Sequence, residues 1–169
     1  MARPLDPEVR RGEILDCAFN LFARVGFRDV TMRDVAREIG ASTGALYHWF
    51  AGKEALWTAV VERQSYRLIT EAVAALPEGP AEERLDALCT WVDLRETDLQ
   101  AVLRVALDYQ NQSEAGRELL ASTVRGLRSA VADQIPLTPS DATRALTLIF
   151  GALAMRTLDP DSPRMRALM

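Results

Sequence analysis

With one histidine (His48) and two cysteines (Cys17 and Cys89) in 169 residues, this chain has little with which to hold a transition metal. A structural zinc site needs four nitrogen or sulfur ligands at close spacing, and neither cysteine has a CxxC partner or a neighbouring histidine. Both cysteines sit inside apolar helical patterns and are expected as buried free thiols. A single histidine also removes most general-base chemistry that relies on imidazole. No glycine-rich phosphate loop stands between a strand and a helix, no nucleophile elbow occurs, and the carboxylates are scattered. An enzyme is therefore not expected, nor is a cofactor or a metal. No stretch approaches the ~18 uninterrupted apolar residues that suggest a membrane span. The opening MARPLDPEVRR runs straight into charge with no apolar signal core, so a cytoplasmic protein with no membrane partner is expected.

Strand-like alternation is missing too. Apolar positions recur at spacings of three and four throughout, which predicts an all-α fold. The length suits one medium domain or two small ones sharing a core. A basic excess is also absent, since the net charge is −4. Residues 1–64 hold nine Arg or Lys against nine Asp or Glu, and residues 65–169 hold eleven against fifteen. A nucleic-acid binder ordinarily shows a basic footprint, so such a role would rest on local placement of charge.

The first helix is predicted to open at Asp6-Pro7, a capping residue followed by proline at the first helical position. Ile14, Ala18, Leu21, Phe22 and Val25 line one face, with Leu15 and Phe19 beside them, and Gly26 ends it. Thr31 with Asp34 three residues on resembles a capping box and starts a helix over about 32–39. Gly40 permits a tight turn. Ser42 can cap a third helix over 43–49, and a longer fourth spans about 53–76. Further helices are predicted over about 81–95, 98–110, 114–134 and 139–158, with caps at Thr97, Ser113 and Thr138. The tail DPDSPRMRALM is broken by proline and is expected to be ragged.

Two short helices separated by one glycine, with small and polar aromatic residues on the second, read as a helix-turn-helix. A helix that reads the major groove needs a first turn free of bulky apolar groups. Ser42, Thr43, Gly44 and Ala45 meet that need. Gly44 lets backbone approach sugar or phosphate, and Thr43 can touch a thymine methyl or a base edge. Leu46 and Phe50 anchor the opposite face. Tyr47, His48 and Trp49 follow one another and cannot all be buried, so at least two face outward. Thr31, Arg33 and Lys53 surround this helix as candidate phosphate contacts, which position the protein without specifying sequence. Each has a plainer use. Thr31 and Ser42 serve equally as caps, Tyr47 can pack on the first helix, and His48 and Arg33 can be solvated surface groups.

These residues resemble the DNA-binding domain of the tetracycline-repressor (TetR) family of bacterial transcription regulators. The resemblance rests on Thr31, Val35, Ala36, Gly40, Ser42, Gly44, Leu46, Tyr47, His48, Phe50, Lys53, Glu54 and Leu56. Upstream it rests on Ile14, Ala18, Leu21, Phe22 and the Gly26-Phe27 corner. Ile39 and Ala41 depart from the family's usual alanine and valine at packing positions. The resemblance implies an N-terminal three-helix DNA-binding domain over 8–68, with its helix-turn-helix at about 31–50. A long fourth helix joins it to a helical effector-binding and dimerisation domain over 69–169. It also implies that Thr31, Arg33, Ser42, Thr43, Gly44, Ala45, Tyr47, His48 and Lys53 face a double-stranded operator.

The same resemblance implies a small-molecule effector of unknown identity, bound among residues 56–112. Candidate wall residues are Trp57, Tyr66, Trp91, Arg95, Arg104, Tyr109, Gln110 and Asn111, although aromatics at helical spacing are often simple core. The last helix is apolar nearly all round, so more than one of its faces is buried. Leu146, Ile149, Phe150 and Leu153, with Leu120, Val124, Leu127 and Val131 of the preceding helix, are expected at an isologous interface between two copies. The function implied is a repressor that leaves its palindromic operator when an effector binds. The alternative is a helical interaction module whose helix-turn-helix no longer binds DNA, motivated by the neutral first 64 residues.

Overall fold

The computed structural model describes residues 6–110 and 114–168. Among them there is no strand. The helices are α1 (Pro7–Val25), α2 (Met32–Glu38), α3 (Thr43–Trp49), α4 (Lys53–Ala74), α5 (Ala81–Leu94), α6 (Glu96–Gln110), α7 (Glu114–Gln134) and α8 (Pro139–Leu158), closed by a 3₁₀ turn over Met165–Leu168. The fold is all-α. The chain forms two compact units, one from Met1–Gln64 with Arg104–Leu119 and one from Ser65–Leu103 with Leu120–Met169. The sequence suggested a single boundary near residue 68. The first unit instead takes back part of α6 and α7, because Val105 is buried in its core and Leu119 packs against it.

Local signals set the first three helices. Asp6 caps α1 by accepting from the Glu8 amide at 2.9 Å, with Pro7 at the first helical position. Gly26, at φ 93° and ψ 154°, takes the chain out of α1 in a region essentially reserved for glycine, where a side-chain-bearing residue costs about 1–3 kcal/mol. Thr31 and Asp34 form the expected capping box on α2. Its other end closes as a Schellman turn: the Gly40 amide donates to Arg37 O (3.2 Å), and the Ala41 amide to Ala36 O (2.9 Å). Gly40 takes the left-handed φ of 65° that this turn requires.

The core of the first unit gathers Ile14, Leu15, Ala18, Leu21 and Phe22 from α1, Val35 and Ala36 from α2, Leu46 from α3, and Leu56, Trp57 and Val60 from α4. Removing each large apolar side chain from water is worth about 1.5–3 kcal/mol. Burial at this density fixes α2 and α3 although each is too short to be stable alone. Trp57 is 0 % exposed here, edge-on to Phe27 with ring centroids 6.3 Å apart. It belongs to this core.

In the second unit the core joins Leu88, Cys89 and Val92 of α5, Ile135, Leu146, Ile149, Ala152 and Leu153 of α8 and its approach, and Met165. Leu146, Ile149 and Leu153, expected between two copies, are closed into this unit's own core instead. Leu127, Val131 and Phe150 pack against the same cluster. The outward side of α8 carries Leu148, Met155 and Leu158, and Val124 is exposed on α7, with Leu120 half-buried.

Two further expectations change. Helix α6 starts at Glu96, so Thr97 is not its cap; the Leu99 amide donates to Arg95 O at 3.0 Å instead. Ser113 lies outside the described residues. The tail is docked, not ragged. Asp93 accepts from the Met165 and Arg166 amides at 2.8 and 3.1 Å, and Met165 fills the core at 1 % exposed. Arg156 reinforces it, bridging Glu96 Oε1 (2.6 Å) and Ser162 O (2.5 Å). Cys89 is buried and Cys17 half-buried, both as free thiols whose pKa is pushed up chiefly by burial.

Candidate nucleic-acid interface

Helix α3 is seven residues long, and two devices hold it. Ser42 leaves extended backbone at its start and accepts from the Ala45 amide at 3.1 Å. Leu46 and Phe50, at 0 and 4 % exposed, pin its inner face to the core. Most of the remaining helix faces outward from that anchor row. Ser42, Gly44, Ala45, Tyr47 and His48 are exposed, and Thr43 is half-buried. Trp49 is the member of the aromatic trio that turns inward, packing against the core with His48 edge-on to it at 6.0 Å.

The glycine in this helix has no internal cause. An added Cβ at Gly44 would meet nothing closer than Ser42 Oγ at 4.0 Å. The chain's own packing therefore accepts alanine there, and a helix prefers it. What glycine provides is a bare stretch of backbone on an open surface. No acidic residue lies in the first turn of α3.

The surrounding polar residues are committed to different degrees. Arg33 is exposed. Thr31 is held in its cap: its amide and hydroxyl both donate to Asp34 Oδ2, at 3.0 and 2.6 Å, and its Oγ1 accepts from the Asp34 amide at 3.2 Å. Those bonds, from the Thr31 side chain and then its backbone, hold the Asp34 carboxyl below the usual carboxylate range, and Arg37 at 2.5 Å acts in the same direction.

Lys53, read from the sequence as a free phosphate contact, is largely occupied. Its ammonium donates to Phe27 O at 2.8 Å and Arg28 O at 3.2 Å, and lies 4.3 Å from the centre of the Phe27 ring. One of its three N–H groups is left for a phosphate. This tie has no local signal, because its partners are 26 and 25 residues away. Sequence reasoning also missed Asp108, whose Oδ2 accepts from the Phe27 amide across 81 residues.

The candidate effector residues that are described fall in both units, each with its own surroundings. Tyr66 is 75 % exposed on α4, and Trp91 is half-buried against the second core. Arg95 is exposed and paired with Glu71 at 2.7 Å and Asp98 at 3.3 Å. Arg104 is exposed within the first unit. The side chains of Tyr109 and Gln110, and all of Asn111, lie outside the described residues.

Residues 14–60 match the family model for bacterial regulatory proteins of the tetR family. The HTH-type transcriptional regulator BetI of Escherichia coli (strain K12 / DH10B) is 34% identical over 83 residues, 47% of this chain and 43% of BetI. The match thus spans less than half the length of that curated relative. Among solved structures, a transcriptional regulator of Streptomyces coelicolor A3(2) is 25% identical with a TM-score of 0.78, covering 94% of this chain and 92% of that one. The multidrug binding protein EbrR, solved with imidazole, is 25% identical with a TM-score of 0.73, covering 99% of this chain and 91% of EbrR.

Proposed function

We propose that this chain, which carries the TetR-family DNA-binding domain, is a sequence-specific regulator that seats α3 in the major groove of an operator. The observation that carries the reading is the split on α3: Leu46 is fully buried, while Gly44, Ala45, Tyr47 and His48 are open. Gly44 and Ala45 let the backbone close on the DNA, and Thr43, Tyr47 and His48 supply hydrogen bonds to bases and phosphates. Ser42 holds the first turn. Arg33 and the remaining N–H of Lys53 add phosphate contacts, and Thr31 acts mainly by setting the start of α2.

Two copies would present two such helices to half-sites about 34 Å apart or a multiple of that. The exposed apolar side chains Leu148, Met155 and Leu158 of α8, with Val124 of α7, support a homodimer through these helices. A small-molecule effector would act by favouring a dimer whose α3 helices no longer match that spacing, releasing the DNA as a repressor does. The imidazole bound to EbrR supports such a ligand for this chain. Tyr66, Trp91 and Arg95 remain the second unit's candidates for it. The cytoplasm, where the DNA is, is its proposed location.

Selection from a random duplex library tests the reading. An enriched palindrome, bound with an affinity that falls as salt rises because neutralised phosphates release counterions, is the expected result. Recovery of no sequence, or affinity indifferent to salt, would refute it.

A further inference from the structure

In the segment between α1 and α2, Phe27 is held by several partners, and one of them comes from far along the chain. Phe27 is 6 % exposed and its ring packs beside Phe22 and Trp57, with centroids 5.9 and 6.3 Å away. Lys53 takes its carbonyl and stacks on its ring. Its amide is taken by Oδ2 of Asp108 on α6, and the same oxygen lies 3.5 Å from where a Cβ on Gly26 would stand. Three residues beyond this corner, Val30 is buried, and Thr31 then caps α2. The direction in which the chain leaves the corner therefore sets the direction in which α2, the Schellman turn and α3 begin.

We propose that Asp108 is a positioning residue for DNA binding: by accepting the Phe27 amide it fixes the α1–α2 corner and, through it, the presentation of α3. This rests on the DNA-binding reading above. Taking the acceptor from a part-buried amide is costly, so a corner freed from Asp108 adopts other arrangements, and the binding-competent one must be restored at the expense of affinity. The role depends on an acceptor at this point in space. It does not depend on negative charge, which on a DNA-binding unit opposes approach to phosphates.

That difference makes the test one of rank order. Operator recovered by the wild-type chain is titrated by fluorescence anisotropy against wild type, Asp108→Asn, Asp108→Glu and Asp108→Ala, with each concentration corrected for folded fraction. Asparagine keeps an acceptor without charge. Glutamate keeps charge but displaces the acceptor by a methylene, and alanine keeps neither. Positioning predicts that Asn binds within about twofold of wild type or tighter, while Glu and Ala bind about fivefold or more weaker, as expected for a conformational penalty near 1 kcal/mol. Amide exchange at Phe27 should be slow in wild type and Asn and fast in Ala.

A charge effect predicts the opposite order, with Ala and Asn alike and tighter than wild type and Glu, and that result would overturn the proposal. So would unchanged affinity per folded molecule in Glu and Ala. Should the alanine chain not fold, the Asn–Glu comparison decides. A wild-type chain that selects no DNA would instead overturn the DNA-binding reading itself, and this inference with it, whatever the exchange data show.

Discussion

Leu46 and Tyr47 are neighbours in sequence on a seven-residue helix, and the structure assigns them opposite tasks. Leu46 is 0 % exposed and Tyr47 is 51 % exposed. Truncating Leu46 to alanine removes the only buried residue within α3 and leaves a cavity among α1, α2 and α4 side chains, a change that costs about 2–5 kcal/mol. Against a total stability of ~5–15 kcal/mol, that is a large share. Tyr47→Ala empties no core space, so its effect on stability should stay within about 0.5 kcal/mol. Its cost should appear on DNA, where losing one hydrogen bond to a charged phosphate weakens binding by about 1.5–3 kcal/mol, roughly ten- to a hundredfold. Urea unfolding followed by circular dichroism gives the first quantity, and anisotropy on a selected operator gives the second. Leu46→Ala should lower the urea midpoint with its slope unchanged, whereas Tyr47→Ala should leave the midpoint in place and weaken binding. If Tyr47→Ala unfolds as easily as Leu46→Ala, or binds operator as well as wild type does, the outward reading of α3 is wrong.

Gly40 and Gly44 make a second contrasting pair. Gly40→Ala has free space but a φ of 65°, so it should cost about 1–2 kcal/mol of stability in a melt, whereas Gly44→Ala should stabilise α3 by up to about 1 kcal/mol and still weaken operator binding. Asp34 gives a pH dependence. Its pKa is lowered on folding by Thr31, so its contribution to stability is complete above the unfolded carboxylate value of about 4 and is lost as pH falls through the depressed folded value. Acid titration of Thr31→Ala should show a smaller loss over that window, and an unchanged curve would exclude the capping box as its source. On α8, Ile149→Ala should cost about 2–5 kcal/mol without changing oligomeric state, while Met155→Glu should leave the fold intact and split the proposed dimer into monomers in sedimentation. A Met155→Glu chain that stays dimeric would remove the outward face of α8 from the interface.

What could be read from the sequence was what neighbouring residues decide among themselves. The caps at Asp6, Thr31, Ser42 and Thr138 stand where their side chains reach an amide two or three residues on, and all four form. Leu46 and Phe50 could be assigned inward because Ser42 to Ala45 offered nothing to bury. Helix α8 was harder. It is apolar on both flanks, so the sequence marks two candidate faces without saying which one the chain keeps for itself. The structure gives Leu146, Ile149 and Leu153 to its own core and leaves Leu148, Met155 and Leu158 outside. Trp57 was ambiguous for the same reason, since an aromatic at helical spacing has one pattern whether it fills a core or lines a cavity. Lys53, Asp108 and Asp93 were illegible because their partners are 26, 81 and 72 residues away. A charged side chain in a helix gives no local sign of whether it will meet water or a distant backbone.

The acidity of the chain, awkward for the proposed binding of DNA, looks different once pairs are located. The excess of acid falls in residues 65–169, while residues 1–64 balance. Several acids of that first segment are already engaged: Asp34 with Thr31 and Arg37, Glu38 with Arg24 at 3.3 Å, Asp16 with Arg63 at 3.0 Å, and Glu13 with Arg10 at 2.9 Å. Each pair presents little net charge to its surroundings, and exposed charges beyond about 8 Å are screened at physiological ionic strength. The field at α3 therefore depends on its immediate neighbours. The helix itself carries no acid in its first turn, and Arg33 lies exposed on α2. Net charge governs how fast such a protein meets DNA. Whether α3 can settle once it arrives depends on these few residues, and nothing acidic on α3 itself stands in its way.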